Sequence, residues 1–120
     1  MKVTYLDPYE FDGWESLEHV FISSALIEEF ETIEAFHKAS NHYLSKDTPL
    51  WCPNEFESFY SVIVGNLKLV IEPLEMINKL CNVSLSSSDQ LLHLEVDWNY
   101  IDFLFTYSGR YYRFIWQTGA

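Results

Sequence analysis

The feature that most constrains this chain is the alternation of large apolar residues on either side of Ser108-Gly109. Ile101, Phe103 and Phe105 recur at every second position before that dipeptide, and Tyr112, Phe114 and Trp116 do so after it. A period of two puts all side chains of such a series on one face of a strand. A Gly-containing dipeptide between two such runs is a two-residue hairpin turn. Counting outward from the turn pairs Phe105 with Tyr112, Phe103 with Phe114 and Ile101 with Trp116, so all six side chains share one face. Upstream, Leu92, Leu94, Val96 and Trp98 alternate with His93, Glu95 and Asp97, and the last thirty residues read as a three-stranded antiparallel meander. A sheet face this apolar must be covered by another layer.

The cover is expected from helices. The clearest candidate runs from about Ser24 to Leu44, where Leu26, Ile27, Phe30, Ile33, His37 and Leu44 fall on one stripe at helical spacing. Ser23 or Ser24 supplies its cap, Glu28, Glu31 and His42 project from the opposite side, and Glu34 stands one turn before Lys38. Residues 2–6 read as a short strand ended by Asp7-Pro8. Asp12 with Glu15 forms a capping-box pattern for a short helix near Trp14, and residues 18–22 fit a strand equally well. Pro49 and Pro53 mark residues 45–54 as a loop that tucks Trp51-Cys52 at the edge of the core. Around Gly65-Asn66 the β-branched residues predict a hairpin pairing Val64 with Leu67, Val62 with Leu69 and Tyr60 with Ile71. A helix over 54–64 through Phe56, Phe59, Tyr60 and Ile63 is the alternative. Pro73 suits the first turn of a helix from Leu74 to about Cys81. With 120 residues, the chain forms one domain, residues 1–120. The expected class is α+β: N-terminal helices packed on an antiparallel sheet with a C-terminal three-stranded meander.

Catalytic and cofactor chemistry leaves little trace. The sequence holds no GxGxxG, P-loop, GxSxG or HExxH pattern, so no catalytic, cofactor-binding or metal-ligating set is assigned. His37 and His42 lie on different faces of the expected helix and cannot share an ion; His37 reads as a packed core histidine and His42 as exposed. Cys52 and Cys81 form no CxxC pair and read as reduced and packed. Asp102 is the odd acid, set in an apolar strand but facing away from the aromatic side and diagonal to Arg113. A cross-strand ion pair is the first reading. A desolvated general base lining an apolar pocket is the second.

Charge is the strongest compositional signal. Eighteen acids against seven Lys and Arg give a net charge of −11. Between Lys2 and Lys38 there is no base, while Asp7, Glu10, Asp12, Glu15, Glu28 and Glu31 all fall there. Such a surface repels nucleic acid, which binds through Lys and Arg, and speeds association with basic proteins. Those six acids are therefore the candidate partner-binding residues. No apolar run is long enough to span a bilayer, and residues 1–8 lack a signal-peptide core, so a cytoplasmic location is expected.

In size, acidity and element order the chain resembles bacterial toxin-immunity proteins, including those of contact-dependent growth inhibition systems. That resemblance implies a non-enzymatic protein that binds a cognate toxin domain, often a basic nuclease, and covers its active site. N-terminal helices followed by long aromatic strands are also similar to the nuclear-transport-factor-2-like and ketosteroid-isomerase class. That likeness would make Asp102 the acid of a small-molecule pocket. An inhibitor or mimic acting on a cellular DNA-binding protein is a third expectation.

Overall fold

The computed structural model describes residues 1–6, 18–47, 54–69, 71–94 and 99–118. The expected helix near Trp14, the Trp51-Cys52 loop and the alternating positions Val96 and Trp98 lie outside them. So do four candidate partner-binding acids, Asp7, Glu10, Asp12 and Glu15.

Among the described residues six strands form one antiparallel sheet: β1 (Lys2–Leu6), β2 (Glu18–Leu26), β3 (Phe59–Ile63), β4 (Gln90–Leu94), β5 (Tyr100–Tyr107) and β6 (Arg110–Thr118). Their spatial order is β1-β2-β6-β5-β4-β3. Among the described residues two α-helices accompany them, α1 (Ile33–Asp47) and α2 (Pro73–Cys81). The class is α+β, with strands dominating.

The C-terminal hairpin has the register its alternation dictates. Phe105 faces Tyr112, Phe103 faces Phe114 and Ile101 faces Trp116. Both turn residues have positive φ, 49° at Ser108 and 77° at Gly109, as a type I′ turn requires to match strand twist. Val20 and Ile22 of β2 join these rings, and α2 closes over them with Ile77, helped by Val64, Val83 and Leu91. Pro73 opens α2 as expected, and Asn82, in the left-handed region at φ 55°, ends it.

The opposite face is covered as well. Ala25, Leu104 and Tyr111 pack there against Phe36 of α1, which is fully buried. The sheet therefore lies between two helices, and Ile101 to Phe105 of β5 are buried without interruption.

Two expectations are corrected here. The helix from Ser24 begins nine residues late, at Ile33. Residues 18–26 continue as β2, between β1 and β6 with partners on both sides, so Ser23 and Ser24 are strand residues and not caps. The capping hydroxyl is that of Thr32, which accepts the Ala35 N–H at 3.1 Å. A strand covered on both faces reads as a near-continuous apolar run, and the start of a helical stripe looks the same. Consequently Leu26 and Ile27, expected inside, are 47% and 38% exposed. Phe30 and Ile33 are half-buried against the α1-side core.

The second correction concerns Gly65-Asn66. It closes no hairpin: Val64–Asn66 is a 3₁₀ turn, and β3 pairs with β4 instead, Phe59 opposite Leu94 and Ile63 opposite Gln90. The Gly65 N–H donates to Ser87 O at 2.8 Å, and a Cβ at Gly65 would stand 2.5 Å from that oxygen. The glycine is there for close backbone approach. Leu67 and Leu69, expected in a strand, pack from the following loop onto the α2-side core.

Candidate functional site

The chemistry of the α1 side centres on two strand residues. Asp102 on β5 and Arg113 on β6 are charged residues on a largely apolar face, and both are fully buried. The guanidinium grips the carboxylate twice, Nε to Oδ1 at 3.0 Å and Nη2 to Oδ2 at 2.6 Å. This is the cross-strand ion pair that the sequence placed diagonally.

The pair reaches outward through its remaining hydrogen bonds. Arg113 Nη1 donates to Ser40 Oγ at 2.8 Å and to Asn41 Oδ1, both on α1. Asn54 Nδ2 donates to Asp102 Oδ2 at 3.2 Å and to the Tyr100 hydroxyl at 2.9 Å. Asn41 Nδ2 in turn donates to Asn54 O at 3.1 Å. The Phe59 ring lies 5.9 Å from the guanidinium carbon. A buried charge needs this degree of satisfaction to be tolerated. The network binds β5, β6, α1 and residues 54–59 into one unit.

Both Asp102 carboxylate oxygens are engaged, by Arg113 and Asn54, and the ionic partner is a guanidinium that does not give up its proton. Among the described residues no group of three His, Cys, Asp or Glu side chains is placed to hold a metal ion. No helix among them is long and apolar enough to cross a membrane.

Above the network, α1 and residues 54–57 enclose a cleft of about 340 Å³. Asn41 and Asn54 line it, and Glu34, Glu55, Glu57 and Lys38 stand around it. His37 borders it as well. The imidazole is 3% exposed and sits edge-on to Phe56 and Phe59, 5.7 and 5.2 Å between centroids. Its Nε2 is buried with no hydrogen-bond partner. Burial, with a smaller contribution from the Arg113 charge, lowers its pKa to about 4, so the ring is neutral near pH 7. His37 is the packed core histidine that its place on the stripe predicted, and His42 is exposed.

The structure places two of the six sequence-predicted acids. Glu28 and Glu31 are exposed, as expected, but on the 3₁₀ turn and bend that lead into α1 and not on a helix face. Between them Glu29 is anchored. Its carboxylate accepts the Leu26 N–H at 2.7 Å and contacts the Met1 ammonium at 3.1 Å. The Leu26 hydrogen bond first, and the ammonium second, hold its pKa below the ordinary value. Sequence reasoning missed Glu34, Glu55 and Glu57 as a group, because only the tertiary fold brings residue 34 beside residues 55 and 57. It also missed Asn41 and Asn54, whose residue types carry no signal without their partners.

No protein-family model matches this sequence, and no curated protein and no solved structure matches it significantly.

Proposed function

We propose that this chain is a non-catalytic binding protein that neutralises a basic partner in the cytosol, in the manner of bacterial toxin-immunity proteins. A nuclease-type toxin domain is the partner class that fits best. The observation carrying this reading is the run of exposed carboxylates along the α1 side. Glu28, Glu29 and Glu31 precede the helix, Glu34 opens it, and Glu55 and Glu57 face Glu34 across the cleft. Lys38, one turn after Glu34, is the Lys or Arg among the described residues lining that cleft.

The carboxylates of Glu28, Glu31, Glu34, Glu55 and Glu57 can stand in for the phosphates that a nuclease's Lys and Arg side chains normally hold. They also attract such a partner before contact. The Asp102–Arg113 network beneath fixes α1 and residues 54–57 relative to each other, so the charges are presented in a set geometry.

The test is recovery of partners from the native host by pull-down, followed by interferometry against the recovered protein. Association should slow by about tenfold or more as salt rises from ~0.05 to ~0.5 M. The double variant Glu28→Lys/Glu31→Lys should weaken binding mainly through the association rate, since both residues point to solvent. A neutral or acidic partner, or unchanged kinetics in the double variant, would refute the acidic-surface reading.

A further inference from the structure

A second cleft, on the α2 face of the sheet, carries the reverse charge. On β1, β2 and β6 the α2 face is apolar where α2 covers it, and it turns polar where the helix ends. Lys2 stands opposite Ser24, and Ser24 opposite Tyr112, in one row across three strands. Thr4 stands opposite Ile22, and Arg110 precedes Tyr112 by two residues, so period two sets all of them on the same face. They line a cleft of about 300 Å³ together with Leu80 and Cys81, the last residues of α2.

The electrostatics of this cleft are unusual for so acidic a chain. Two of the seven basic residues line it, and among the described residues no carboxylate does. The ion pairs among the described residues are Met1–Glu29 and Asp102–Arg113, so neither Lys2 nor Arg110 is in one. Arg110 is half-buried and aimed by its Nη2 hydrogen bond to Ser24 Oγ at 3.3 Å. A guanidinium has five N–H donors in a fixed fork, which leaves it capacity for an oxyanion. Glu29 lies close enough to feel Arg110, but its carboxylate is already engaged by Leu26 and Met1.

We propose that this cleft binds small organic carboxylates, with the anion between Arg110 and Lys2 and the apolar body against Ile22, Leu80 and Cys81. The hydroxyls of Ser24, Thr4 and Tyr112 complete the polar rim. A monoanion is selected over a phosphate dianion because the field of a −11 protein opposes each added negative charge. The Cys81 thiol contributes surface and no chemistry, since burial pushes its pKa up to about 12.

Butyrate is the probe, with butyramide as the uncharged isostere and inorganic phosphate as the competing anion, followed by amide NMR at constant ionic strength. Butyrate should saturate with an affinity on the order of millimolar, shifting the amides of Lys2, Ser24, Arg110 and Tyr112. Butyramide should leave them in place, and phosphate should bind more weakly than butyrate. Arg110→Gln should weaken butyrate by about tenfold. Lys2→Gln, at an exposed position that does not endanger folding, should weaken it about threefold. Three results would each overturn the proposal: no saturation by butyrate, equal shifts with butyramide, or unchanged binding in both variants. Phosphate binding as tight as butyrate would replace the carboxylate site with an unselective anion site and refute it likewise. None of these outcomes depends on the acidic surface.

Discussion

Replacing Asp102 with Leu isolates the energetics of the buried network. The substitution removes the two Asp102 acceptors of Arg113 Nε and Nη2 at a guanidinium that has no solvent contact. Ser40 and Asn41 still hold Nη1, and Asn54 keeps the Tyr100 hydroxyl, so the loss is concentrated in the two Asp102 contacts. Breaking a buried pair by removing one partner costs about 3–5 kcal/mol. A chain of this length has an unfolding entropy of about 0.25 kcal/mol/K near its midpoint, so Tm should fall by about 12–20 °C. The double variant Asp102→Leu/Arg113→Met removes both charges. It should regain at least half of that loss, the remainder being the orphaned Ser40, Asn41 and Asn54 groups. Calorimetry and urea unfolding of wild type, both single variants and the double variant close the cycle. A single-variant cost below about 1 kcal/mol, or a double variant less stable than either single one, would refute the account of this pair as mutually compensating buried charges.

Further outcomes follow from burial and titration. Because the folded pKa of His37 is about 4, below its ordinary 6.5, the unfolded chain binds the extra proton in between. This contribution to stability is complete above pH 6.5 and is lost as pH falls to about 4. His37→Leu should flatten that decline relative to wild type in urea midpoints measured from pH 7 to 4; identical slopes would rule the histidine out as its source. Phe36→Ala and Phe114→Ala, at fully buried rings on opposite sheet faces, should each cost about 3–5 kcal/mol. Tyr43→Ala, at a ring 46% exposed, should cost within about 0.5 kcal/mol. Cys81 should react slowly with thiol reagents at pH 8 until the protein unfolds, because its thiol stays protonated, as followed by mass-spectrometric mapping in a Cys52→Ser background; rapid native labelling would contradict its half-buried, protonated state.

The C-terminal half was legible because its information is local. Alternation around Ser108-Gly109 fixes register by counting, and the same count places Asp102 diagonal to Arg113 and away from the aromatic face. Pro73 marks the start of α2 through its own restricted backbone. The acidity of the N-terminal half is likewise a property of composition, and it needs no fold to be read.

What only the tertiary structure decided is which edge each strand finds. Residues 18–26 lie between β1 and β6, and β6 begins more than eighty residues later in the chain. No window of sequence contains that pairing. Burial on both faces erased the alternation that would have marked them as a strand, so their apolar residues matched the phase of the helix that follows. Val62 could pair with Leu69 across a local turn or with Leu91 across a distant one, and it took the second. There Gly65 closes against Ser87 and α2 covers the result. The carboxylates around the α1 cleft and the cations at the β1 corner were assembled in the same way. A charge or hydrogen-bonding group acquires its role only from neighbours that sequence distance conceals.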